Sequence, residues 1–196
     1  IKKELLELAN EVEKEITPIF DKIQKISEKN SFKVIQAFQE NNLSEMHLQS
    51  STGYGIDEPG RNKIEDIYST IFKSEDSLVR VQLISGTHAL AVTLFALLRP
   101  GDTMLSITGA PYDTLQTVIG NGKEVSKSSL KAFGINYEQI ELENNEFAIE
   151  KIQERLKEKD IKLVEIQRSR GYSTRKSLTI EKIEKAIKAI REVNSE

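Results

Sequence analysis

The sequence contains no cysteine, and that absence removes disulfides, cysteine nucleophiles and thiolate metal sites from consideration. Its two histidines, His47 and His88, stand far apart, which leaves no basis for a zinc site built from imidazoles. No apolar run approaches the roughly twenty residues that a membrane-crossing helix needs, and the N-terminus shows a charged helical pattern where a signal peptide would be apolar. An excess of one charge is lacking too. With 28 Lys and Arg against 31 Asp and Glu, the formal net charge of −3 gives no electrostatic pull toward nucleic acid or an anionic membrane. What is present, 196 residues with 38% hydrophobic content, suffices to bury a real core. These features point to a cytoplasmic globular protein with no nucleic-acid or membrane partner. The chain opens on Ile1 and closes in a helical pattern at Arg191 to Glu196, so both ends read as cut.

Residues 2–28 place Leu5, Leu8, Val12, Ile16, Ile19, Ile23 and Ile26 at spacings of three and four, which predicts an amphipathic helix interrupted near Pro18. A second helix is expected from Ser31 to Glu40, closed by Asn41-Asn42. Residues 1–50 could thus form a separate helical extension ahead of a domain spanning 51–196. Ser50 to Arg61 is rich in Gly, Ser and Pro and predicts a loop, and Ile64 to Phe72 resumes a helical period. Strands are then expected at Ser77–Leu83, Thr103–Ile107, Tyr137–Leu142 and Ile161–Ile166. They alternate with helices at His88–Leu98, Tyr112–Ile119, Ala148–Leu156 and Thr179–Val193. Such alternation implies an α/β fold, a largely parallel sheet with helices on both faces, preceded by the N-terminal helical segment.

In such a sheet ligands sit beyond the carboxyl ends of the strands, so the loops there carry the chemistry. The first, Ser85-Gly86-Thr87-His88, joins a β-type run directly to an Ala/Leu-rich helix. Backbone N–H groups at a helix N-terminus lack intrahelical partners and favour an anion; Ser85 and Thr87 add hydroxyls, and Gly86 carries no Cβ to hold a phosphate away. An ordinary capped strand-to-helix turn shows the same residues, so this tripeptide alone leaves both readings open. The second loop, Thr108-Gly109-Ala110-Pro111-Tyr112-Asp113, offers an aromatic face, and the third, Gln167-Arg168-Ser169-Arg170-Gly171-Tyr172, a guanidinium pair. Together they suit a flat phosphorylated aromatic ligand beside an anionic substrate. Alternatives stand for each: Tyr112 as a packing aromatic, and Arg168 and Arg170 as a solvated basic turn.

Ser85-Gly86-Thr87-His88-Ala89 with Leu98-Arg99-Pro100-Gly101-Asp102, then Thr108 to Leu115, then Ile166 to Ser173, occur in the order seen in fold-type I pyridoxal-phosphate (PLP) enzymes. From about residue 30 onward the chain resembles the aluminium-resistance, methionine gamma-lyase-like branch of those enzymes, related to cystathionine lyases. The resemblance implies that Ser85, Gly86 and Thr87 hold the cofactor phosphate and that Tyr112 stacks on its ring. It implies that Arg168 and Arg170 bind a substrate carboxylate or a cofactor oxygen. It also implies that the Tyr54 to Arg61 segment reaches the phosphate of a neighbouring subunit in a homodimer or homotetramer. Ile56 stands where the related lyases place an arginine, and Arg61 lies further on; a plain surface loop is the alternative there. The implied reaction is carbon–sulfur lysis of an amino acid of the cysteine and methionine class. Such chemistry needs a Schiff-base lysine and an aspartate at the ring nitrogen, and no lysine here follows a strand end near the cradle. Two further readings follow from that gap: a non-catalytic phosphate-binding α/β module, and an interaction protein that pairs through residues 1–28.

Overall fold

The computed structural model describes residues 1–55, 58–122 and 125–195, and these group into two compact units, Ile1–Gln82 and Leu83–Glu196.

The first unit is helical. Helix α1, Lys3–Glu40, runs unbroken for 38 residues through Pro18, where the sequence pattern predicts an interruption and a separate helix from Ser31. Proline removes one amide from the ladder without ending the helix, and the Thr17 hydroxyl donates to the Glu13 carbonyl at 2.7 Å within the same stretch. At the C-terminal end Asn41 closes the helix. Its Nδ2 donates to the Ala37 carbonyl and to Thr70 Oγ1, both at 2.9 Å, which ties α1 to helix α2, Pro59–Phe72. The expected 50–61 loop is therefore shorter than its composition suggests: Pro59 opens α2, and Gly60 and Arg61 are helical. Gly60 is required there because a Cβ would run into the His47 carbonyl. Ile56 and Asp57, within that expected loop, lie outside the described residues.

The strand expected at Ser77–Leu83 is not formed. Its alternation is present, but among the described residues no strand runs alongside to take its N–H and C=O groups. Instead, the Val79 N–H donates to Glu65 Oε1 at 2.9 Å and Arg80 pairs with the same carboxylate, so the segment is moored to α2.

The second unit is the α/β body. Its elements are helix α3, Gly86–Leu97; strand β1, Thr103–Ser106; helix α4, Asp113–Ile119; strand β2, Asn136–Gln139; helix α5, Ile149–Arg155; strand β3, Ile161–Glu165; and helix α6, Ile180–Val193. The strands form one parallel sheet in the order β2-β1-β3, with Met104 opposite Tyr137 and Leu105 opposite Val164. All four residues of β1 are buried, as a central parallel strand covered on both faces requires. Met104 points into a cluster with Leu94, Leu98, Leu115 and Ile119 from the α3 and α4 side. Leu105 and Ile107 point the other way, against Ile152, Leu156 and Ala186 from α5 and α6. The fold is thus α/β with helices on both faces of a parallel sheet. Among the described residues no helix is long and apolar enough to cross a membrane.

Candidate functional site

Within the second unit, polar side chains gather at the carboxyl ends of the strands, where loops leave a parallel sheet and backbone groups lose their ladder partners. The N-terminus of α3 faces this edge. Ser85 holds an extended conformation and caps the helix, its Oγ accepting the His88 N–H at 3.1 Å, which leaves the hydroxyl proton to donate elsewhere. The N–H groups of Gly86 and Thr87 lie before the first intrahelical donor, Ala89, at the positive end of a 12-residue helix. No neighbouring atom stands within 4 Å of the place a Gly86 Cβ would take, so the turn is open on that side.

Thr87 and Tyr112 are brought together across 25 residues of sequence: Thr87 Oγ1 lies 3.2 Å from the Tyr112 hydroxyl and 3.2 Å from Thr114 Oγ1. Tyr112 follows the buried Pro111 and precedes α4, so proline geometry and the helix start fix its backbone direction. The Pro111–Tyr112 peptide is then held from both sides. Gln116 Nε2 donates to the Pro111 carbonyl at 2.6 Å, and the Tyr112 N–H donates to Gln167 Oε1 at 2.8 Å.

Of the two predicted arginines, Arg168 is exposed and donates through Nε to the Leu178 carbonyl at 3.3 Å. Arg170 is exposed on the same turn, and its carbonyl accepts the Ser173 N–H at 3.0 Å. The arginine most engaged with this turn is Arg175, whose Nη2 donates to the carbonyls of Gln167 at 3.0 Å and Ser169 at 2.7 Å. Neither Arg175 nor Gln167 is singled out by the sequence pattern. The motif that highlights Arg168 and Arg170 contains Gln167 and stops short of Arg175. Tyr54 and Arg61 belong to the first unit: Tyr54 is exposed, and Arg61 stands in the first turn of α2, where it lines an apolar cavity of about 830 Å³ together with Phe38, Ile64 and Tyr68.

Beneath the Thr108–Tyr112 loop the buried Ser106 pairs with the half-buried Glu165. Ser106 Oγ, at the end of β1, is 2.7 Å from the Gly109 carbonyl and 2.7 Å from Glu165 Oε2 at the end of β3. Burial pushes the Glu165 carboxyl above the usual glutamate range, and the Ser106 hydroxyl only partly offsets it. Tyr137 beside it is pushed up to about 12, first by burial and then by the charges of Glu165 and Glu141. Gly109 has a φ of +78° and turns so close over the Glu141 carboxyl that a Cβ would collide with it.

This donor set fits a phosphorylated aromatic cofactor: backbone amides and hydroxyls for a phosphate at the α3 N-terminus, and a tyrosine ring tethered to the same threonine. Among the described residues no lysine takes part in the hydrogen bonds of this cluster.

A family profile for methionine gamma-lyase matches residues 5–196. The uncharacterized protein YnbB of Bacillus subtilis (strain 168) is 41% identical over 191 residues, covering 97% of this chain and 45% of that protein. Among solved structures, a Clostridium novyi NT protein named a carbon–sulfur lyase involved in aluminium resistance superposes with a TM-score of 0.93 at 40% identity. That match covers 100% of this chain and 46% of the neighbour. A Clostridium acetobutylicum protein provisionally assigned as a cystathionine beta-lyase involved in aluminium resistance superposes with a TM-score of 0.94 at 42% identity, covering 99% and 46%. The chain therefore spans about half the length of the relatives it matches.

Proposed function

The chain belongs to the methionine gamma-lyase family, and from that premise we propose that it forms the cofactor-phosphate half of a cytoplasmic, PLP-dependent carbon–sulfur lyase acting on a sulfur-containing amino acid. When bound, PLP supplies an electron sink that lets a substrate Cα–H ionise and a carbon–sulfur bond break, with the sulfur leaving as a thiol. The protein's own contributions are binding and orientation. First-turn amides of α3 with the Ser85 and Thr87 hydroxyls hold the phosphate, and Gly86 leaves it room. Tyr112 lies against the ring, its hydroxyl anchored on Thr87. Arg168 and Arg170 offer forked donors to a substrate carboxylate. Tyr54 and Arg61 serve the phosphate of a neighbouring copy in a homodimer or homotetramer.

The observation that carries this reading is the 3.2 Å link between Thr87 and Tyr112, which joins an anion-binding helix terminus to an aromatic ring in one unit. It is tested on the full-length protein by titration with PLP, followed by absorbance of the bound cofactor, and by an assay for thiol release from cysteine-class amino acids. The intact protein should bind PLP and release thiol. Tyr112→Ala should weaken cofactor binding about three- to tenfold, the worth of one aromatic stack. Binding of inorganic phosphate without PLP would instead favour a non-catalytic phosphate-binding module.

A further inference from the structure

We propose that Gln167 is a positioning residue that sets the ring of Tyr112 over the α3 terminus and fixes its separation from the arginine turn; the proposal rests on the reading of the site given above. Every polar group of Gln167 is engaged. Its N–H donates to Thr108 Oγ1 at 3.0 Å, and its carbonyl accepts from Arg175 Nη2 at 3.0 Å. Its Oε1 accepts the Tyr112 N–H at 2.8 Å, and its Nε2 donates to the Ser169 carbonyl at 3.1 Å. The amide can stand only one way round, because one end faces a donor and the other an acceptor; reversing it would break both bonds.

The Pro111 carbonyl and the Tyr112 N–H belong to one peptide plane. Gln116 grips its oxygen side at 2.6 Å and Gln167 its nitrogen side, so the plane that aims the Tyr112 side chain is clamped by two amides from opposite directions. With Thr87 holding the far end of the ring, Tyr112 is fixed at three points. The second arm of Gln167 reaches Ser169, the residue between Arg168 and Arg170. One side chain thereby spans the group proposed to meet the cofactor ring and the groups proposed to meet the substrate. Gln167→Glu keeps the acceptor for Tyr112 and loses the donor to Ser169, whereas Gln167→Leu loses both, so the two arms can be separated.

The experiment compares full-length wild-type, Q167E and Q167L proteins, reading the PLP dissociation rate, the circular dichroism induced in the bound cofactor band, and the KM for a cysteine-class substrate. Q167L should release PLP about tenfold faster, the worth of one hydrogen bond, and should change the induced dichroism. Q167E should keep the wild-type dichroism and dissociation rate while raising KM. If Q167L does not fold, the split shown by Q167E carries the test alone. A Q167E protein matching wild type in KM as well, or Q167L with unchanged dissociation and dichroism, overturns the proposal while the lyase reading stands. A wild-type protein that binds no PLP overturns both.

Discussion

A hydroxyl has one proton to give, and Ser106 faces two acceptors at equal distance, the Gly109 carbonyl and Glu165. Donation from Ser106 favours the charged carboxylate, but burial favours the neutral carboxyl more strongly, so the folded value lies above the ordinary 4.5. The folded state therefore binds more protons than the unfolded one. The stability contributed by this group is whole below about pH 4.5 and is lost as pH rises through the folded value. Tyr137 and Glu141 are the titratable neighbours, and Tyr137 stays neutral throughout that range. Glu165→Gln keeps a neutral donor at every pH, so its thermal midpoint should gain on wild type as pH is raised from 4 to 8. A midpoint difference that does not change across that series would contradict a raised Glu165 value. At this scale Ser85, Thr87 and Tyr112 were legible as candidates because each sits in a local motif. Gln167 and Ser106 were not, because their partners lie 55 and 59 residues away in sequence and no spacing rule links them.

At the scale of elements, the α/β alternation was readable wherever a strand finds a neighbour, and it failed at Ser77–Leu83, where the period is right but the described residues offer no ladder partner. Pattern records which face of a segment is apolar; pairing depends on another stretch of chain. The opposite edge of the sheet shows what pairing adds. Arg155 on α5 forks between Glu138 of β2 and Asp160 ahead of β3, at 2.7–3.0 Å. Asp160 in turn accepts the hydroxyl of buried Thr103 in β1 at 2.6 Å, so one guanidinium links all three strands. The Arg155 bond, then the Thr103 bond, hold Asp160 at about 2, below its ordinary 3.8. Its contribution is present above about pH 4 and is lost as pH falls through 2. Since the pair is partly exposed and screened, Asp160→Asn should cost about 0.5–1 kcal/mol at pH 7 in urea unfolding, with the difference closing near pH 2. An equal deficit at pH 2 and pH 7 would show that the charge is not what stabilises.

Across the whole molecule, apolar burial is uneven. The second unit holds two clusters packed on the two faces of β1, whereas α1 buries only Ala37 and leaves Leu5, Leu8, Val12, Ile19, Ile23 and Ile26 exposed along its length. A helix derives most of its stability from packing an apolar face, and without that packing it opens at little cost. In the 196-residue chain at low concentration, amides of the first 30 residues should therefore exchange with deuterium orders of magnitude faster than those of β1, whose opening requires disrupting both clusters. The same stripe is the feature that a helix-pairing partner would cover. If the proposed homodimer or homotetramer forms through it, raising the protein concentration should slow exchange along α1 while leaving the β1 rates unchanged, because only α1 gains buried surface. Slow exchange over the first 30 residues in a dilute monomer would contradict this, since Leu5, Leu8, Val12, Ile19, Ile23 and Ile26 are exposed there.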